Sequence, residues 1–183
     1  MKKILFISFL MLAALSVQAQ KYLTKAGYIS FFSSTPIEDI TAENNQVVSI
    51  LNVENGELVF QALMKSFQFE KALMQEHFNE KYVHSDKFPK AIFKGKIANM
   101  EEVNFSESGT YTANIQGELT IHGVTKPMET EGKIEVKDGE ILAEAAFPLT
   151  IADWEIKIPS VVRENIAEQV ETKVKMKYKP FGK

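Results

Sequence analysis

Between Gly117 and Val136 the chain reads GELTIHGVTKPMETEGKIEV, two runs of alternating apolar and polar residues around His122-Gly123-Val124-Thr125. Gly117, Leu119 and Ile121 alternate with Glu118 and Thr120; Met128, Thr130, Gly132, Ile134 and Val136 alternate with acids and a lysine. A period of two places successive side chains on opposite faces, so this is a hairpin with one wet face and one apolar face. The apolar face is thin, because glycine recurs on it.

The same alternation recurs along most of the chain. KYLTKAGYISFFS (21–33) predicts a first strand. Residues 36–45, PIEDITAENN, lack a clean period and read as a connection or a short irregular strand. QVVSILNV (46–53), Glu54-Asn55-Gly56 and ELVFQALMKSF (57–67) form a strand, a turn and a strand. The period then shifts: Phe69, Leu73, Met74 and Phe78 fall at helical spacing, with Glu70 placed where the helix dipole favours an acid. This is the one main helix, after the third strand. Further strands follow at 91–100, 110–122, the second arm of the opening hairpin, 140–150 after the Asp138-Gly139 turn, and 170–178. About eight antiparallel strands joined mostly by hairpins make an all-β domain, and closure into a barrel removes the exposed edges of such a meander.

Barrels of about eight strands either just fill with side chains or hold one small ligand. Here Ala113, Gly117, Gly132, Ala143 and Ala145 point inward among Phe60, Met64, Phe93, Tyr111 and Ile115. Leu119, Met128, Ile134, Phe147 and Val174 complete the expected inner surface. Two readings follow. Either the small residues open an apolar cavity for a hydrophobic ligand, or glycines mark strand bends while alanines interlock with large neighbours.

Outside the barrel, MKKILFISFLMLAALSVQAQ has a basic end, an apolar run and a Val17-Gln18-Ala19 cleavage pattern. We read 1–19 as a signal peptide, leaving a periplasmic or secreted mature chain, 20–183. With Lys2 and Lys3 removed, the net charge moves from −3 to about −5, and no basic block suggests nucleic acid. The chain has no cysteine, so disulfides, thiol chemistry and a cysteine-linked lipid anchor are excluded. No stable membrane anchor is expected in the mature chain, and no oligomeric state follows from the pattern.

Catalytic and metal motifs are also missing. His77, His84 and His122 match no standard zinc spacing, and no nucleophile elbow, phosphate-cradling loop or paired metal-binding histidine motif is present. Glu101-Glu102 and Glu129/Glu131 read as solvated edges, and Asp153 beside Trp154 as a turn-capping acid. The expectation is therefore no catalysis, no metal and no cofactor.

Three stretches together resemble the YceI-like family: HFNEKYVHSDKFPKAIFKGKI (77–97), GELTIHGVTKPME (117–129) and FPLTIADWEIKIPS (147–160). The family pattern, a histidine on a helix before KFP-x-x-x-F, then G-x-LTIHGVTK-P, then an F…D-aromatic-x-I corner, falls on particular residues. These are His77, Lys87-Phe88-Pro89, Phe93, Gly117, Leu119 to Lys126, Phe147, Asp153, Trp154 and Ile156. The resemblance implies an eight-stranded, lipocalin-like barrel with a polyisoprenoid or other lipid in the lumen. The ligand-binding residues would be Phe60, Met64, Phe93, Tyr111, Ala113, Ile115, Gly117, Leu119, Met128, Gly132, Ile134, Phe147 and Val174. Residues 31–51 depart from the usual pattern, so ligand length and headgroup do not carry over. The alternative is an envelope or stress-related interaction protein with a filled barrel, marked by an external apolar patch.

Overall fold

The computed structural model describes residues 21–182; the expected signal peptide lies outside them. Nine strands run in order: β1 (Lys21–Ser34), β2 (Asp39–Asn52), β3 (Glu57–Leu63), β4 (Gln68–Phe69), β5 (Lys90–Ile97), β6 (Gly109–Ile121), β7 (Val124–Lys137), β8 (Glu140–Thr150) and β9 (Gln169–Phe181). Eight of them close an antiparallel barrel, β1-β2-β3-β5-β6-β7-β8-β9, with β9 pairing back onto β1. The ninth, the two-residue β4, continues the wall above β3 by pairing with Ala42 and Glu43 of β2.

β2 begins well before the expected strand at Gln46, inside the segment read as a connection or a short irregular strand. Its buried residues are Ala42, Asn44, Val47, Ser49 and Leu51, so the inward parity slips by one between Asn44 and Val47. The slip coincides with a register shift against β1 between Gly27 and Ile29. A bulge of this kind erases the period-two signal while keeping the strand. Asn44 supports it: its amide Nδ2 donates to the Leu63 carbonyl at 2.9 Å, and its Oδ1 accepts the Gln46 N–H at 2.8 Å.

The helix is shorter than its apolar spacing predicts. Helix α1 spans Ala72–His77 and widens into a π-turn at Phe78–Tyr82. Phe69 belongs to β4, and Leu73 is exposed. Phe78 nevertheless packs against Phe31, Phe67 and Phe69 with ring centroids 5.1–5.6 Å apart, so the segment covers one end of the barrel. Met64, expected on β3, sits in a 3-10 turn after it and is buried in this end cluster. At the opposite end, Ile97, Val103, Val136 and Ile141 are buried among β5 to β8.

The opening hairpin turns more tightly than expected. His122 and Gly123 alone make the turn, both at positive φ (52° and 79°), and Val124 already lies in β7. Two successive positive φ values match the right-handed twist of the arms. Along the hairpin, the thin inner face resolves into two different features. An added Cβ at Gly117 would collide with the backbone of Lys94 and Gly95 and with the Phe93 ring. Gly117 pairs with Gly95 across β5–β6, and the Phe93 ring lies over both. Here glycine makes room for an aromatic side chain, as the filled-core reading holds. Gly132, between Ala113 and Ala145 in the ladders, borders an interior cavity, although an added Cβ would lie 3.0 Å from both the Glu144 carbonyl oxygen and Ile115 Cδ1.

Candidate lumen site

The alternation of β3, β5, β6, β7, β8 and β9 directs a row of apolar side chains into the barrel, and they do not fill it. A lower chamber of about 110 Å³ and an upper chamber of about 300 Å³ occupy the interior. Both are bordered by Ile29, Ala91, Ile121, Leu149 and Thr172, which form a waist between them.

Nine of the thirteen expected ligand-binding residues border the lower chamber: Phe60, Phe93, Ile115, Leu119, Met128, Gly132, Ile134, Phe147 and Val174. Met64 borders the upper one. Tyr111, Ala113 and Gly117 border neither. Tyr111 lies near the lower end, where its hydroxyl donates to the Glu107 carbonyl at 3.1 Å. Ala113 is fully buried in the core, and Gly117 lies beneath the Phe93 ring.

The alternating pattern could not reveal the upper chamber, because turns and loops supply much of its wall: Phe67, Met74, Phe78, Val83, Trp154, Ile156, Ile158 and Val162. The clearest sequence signal is the run of isoleucines at 151, 156 and 158 beside Trp154.

Polar groups in the lumen are few. Ser49 donates to the Val59 carbonyl at 2.8 Å, which leaves its oxygen to accept from the Tyr178 hydroxyl at 2.7 Å. This pair crosses the interior from β2 to β9, and burial pushes the Tyr178 phenol far above its ordinary range. Burial also raises Tyr82 beside the upper chamber. Both phenols therefore stay neutral at physiological pH. Glu38 stands at the upper end, where its carboxylate accepts from Lys71 Nζ at 2.8 Å and from Asn165 Nδ2 at 3.3 Å. The Lys71 hydrogen bond holds Glu38 below the usual carboxylate range, with Asn165 adding to the effect, and raises Lys71 in turn. One side chain of the β1–β2 hairpin thus ties together the segment leading into α1 and the 3-10 turn at Ser160–Asn165.

The wall is not uniformly paired. The β7–β8 ladder runs from Lys137–Glu140 to Gly132–Ala145 and ends there. Above it, residues 124–131 of β7 pair only with β6, and residues 146–150 of β8 only with β9. Met128, Thr130, Phe147 and Leu149 face this parting and are half-exposed despite their inward parity. The 3-10 turn Ile151–Trp154 bridges the top of the gap. Lys126 Nζ lies 3.6 Å from Asp153 Oδ1, and Trp154 is buried with its indole N–H directed at the Leu119 carbonyl, 3.5 Å away. His122 Nδ1 lies 3.1 Å from the Trp154 carbonyl and therefore donates to it. His122 Nε2 contacts His84 Nδ1 at 2.9 Å. These histidines join the turn, the loop before β5 and the corner after β8, while His77 borders the upper chamber. Among the described residues no cluster of three or more His, Cys, Asp or Glu could hold a metal ion.

Residues 24–178 match the YceI-like domain. The chain belongs to the YceI-like family. Solved structures share the fold at low identity. A polyisoprenoid binding domain from Saccharophagus degradans, implicated in plant cell wall breakdown, superposes with a TM-score of 0.77 at 12% identity, covering 90% of this chain and 100% of its own. BcnA of Burkholderia cenocepacia gives 0.69 at 12%, covering 82% and 95%. A YCEI protein of Campylobacter jejuni gives 0.57 at 14%, covering 74% and 82%. No curated protein matches the sequence.

Proposed function

We propose that this YceI-like barrel is an exported binding protein that holds a long hydrophobic ligand, a polyisoprenoid or similar lipid, in its lumen without catalysis. The observation that carries the reading is the pair of apolar chambers joined at a waist and left unfilled by the chain's own side chains. Water gains little in such a space, whereas a hydrocarbon chain gains roughly 25 cal/mol per Å² of surface removed from water. The polyisoprenoid-binding neighbour of the same fold supports the ligand class, and the basic, apolar and small-residue order of the first nineteen residues supports export.

Trp154 is the only tryptophan in the chain and borders the upper chamber. A long-chain alcohol brominated along its tail should therefore quench its fluorescence by contact when bound in the lumen. Saturable quenching of delipidated protein is the expected result. Binding of the same alcohol without quenching would place it outside the barrel and refute the reading.

One observation favours the interaction reading. Val48 and Ile50 of β2 and Val59 and Leu63 of β3 form an exposed apolar strip on the outer wall, with Ile50 directly opposite Val59. A ligand or partner held there would leave Trp154 unquenched, so the same experiment separates the two readings.

A further inference from the structure

The waist contains a polar atom with no partner. Thr172 on β9 is 1% exposed, and its Oγ1 makes no hydrogen bond. It borders both chambers. Its cross-strand neighbours are Phe31 on β1, which borders the upper chamber, and Phe147 on β8, which borders the lower. The other waist side chains, Ile29, Ala91, Ile121 and Leu149, are apolar. None of these side chains offers a second partner to a water placed at the waist. A buried hydroxyl without a partner costs free energy, and the contrast with Ser49 and Tyr178, which satisfy each other lower in the same lumen, makes the deficit specific to this level.

The charge around the chambers is as informative. Among the described residues bordering them, the only lysine or arginine is Lys133, an exposed position whose side chain alternates to the outer face of β7. At the upper end the charged residue that borders the chamber is Glu38, which is ion-paired with Lys71, while Arg163 in the neighbouring 3-10 turn does not border it. A phosphate or carboxylate head would enter an apolar space whose wall offers it no free cation. Burying an unpaired charge there is prohibitive.

Resting on the lumen reading above, we propose that the site selects an uncharged amphiphile whose hydroxyl or carbonyl oxygen hydrogen-bonds Thr172 at the waist. Its hydrocarbon fills the adjoining chambers. The oxygen supplies the partner that Thr172 lacks, and the neutrality of the ligand matches a wall without cations.

Three compounds that share one farnesyl chain test this: farnesol, farnesene and farnesyl diphosphate, titrated calorimetrically into delipidated mature protein. Farnesol should bind about tenfold more tightly than farnesene, one net hydrogen bond's worth, and at least tenfold more tightly than the diphosphate. Thr172→Val keeps the β-branched shape suited to β9. It should abolish the preference for farnesol over farnesene, and Thr172→Ser should retain a preference. A farnesol preference that survives in Thr172→Val overturns the anchor, and diphosphate binding equal to farnesol overturns the selection for neutrality. If none of the three binds the wild-type protein, the lumen reading itself is wrong and the assignment falls with it.

Discussion

Replacing Ala143 by leucine separates an unfilled lumen from a well-packed core, because the two predict opposite signs. Ala143 lies on the inner face of β8, opposite Ile134 and Met176, and borders the lower chamber of about 110 Å³. Leucine adds three carbons to that space. At about 0.8 kcal/mol per buried carbon the gain approaches 2.4 kcal/mol, and ordering the side chain returns about 0.5–1. The net is about 1.5 kcal/mol of added stability. For a chain of this size that corresponds to a rise of about 3–6 °C in Tm. Ligand affinity should move the other way, by at least tenfold, because the leucine occupies the ligand's place. The assay is thermal unfolding of delipidated protein by circular dichroism, with farnesol titrations of both forms. A fall in Tm of several degrees is the signature of overpacking and would refute the claim that the space is open.

Other substitutions probe the parts around the lumen. Ser49→Ala strands both the Tyr178 hydroxyl and the Val59 carbonyl and should cost about 1–3 kcal/mol by urea unfolding, whereas Tyr178→Phe, which leaves the Ser49–Val59 bond intact, should cost about 1; equal losses would contradict the assigned donor directions. Glu38→Gln should weaken the tie between Lys71 and Asn165, seen as faster amide exchange at residues 71–77 and 160–166 with the barrel strands unchanged. Because Glu38 is held below its ordinary range in the fold, its contribution is present at neutral pH and lost as pH falls through its folded pKa. Wild-type exchange in those segments should therefore quicken on acidification and the variant's should not. Gly123→Ala forces a Cβ onto a residue at φ 79° and against the Phe88 ring, and should destabilise by more than about 1 kcal/mol; a neutral effect would show that the turn tolerates another form.

The sequence made the barrel legible wherever one strand kept one parity. β6, β7 and β9 alternate without interruption, and the Asp138-Gly139 and His122-Gly123 turns carry the residues that positive φ demands. The start of β2 was hidden because a bulge changes its parity and because its buried positions, Ala42 and Asn44, are small or polar. The helix edges are hidden in the sequence: Phe69 serves a strand while satisfying a helical spacing, so the periodicity of four residues does not mark the boundary. Gly117 and Gly132 look alike in the sequence, yet one seats an aromatic ring and the other borders a cavity. That difference depends on where Phe93 points, which no local pattern encodes. The upper chamber and the parting of β7 from β8 were illegible for a related reason. They depend on loops folding back over the barrel and on where a ladder stops.

The central claim, that the lumen carries a hydrophobic ligand, is met most directly by native mass spectrometry of the mature protein isolated from the cells that make it, followed by solvent extraction. The isolated protein should be one ligand mass heavier than its chain, reduced to the bare chain on extraction, with an uncharged lipid recovered in about equal amount. A protein that is repeatedly isolated at its bare mass, and that takes up no farnesol or longer prenyl alcohol when offered it, would contradict the account.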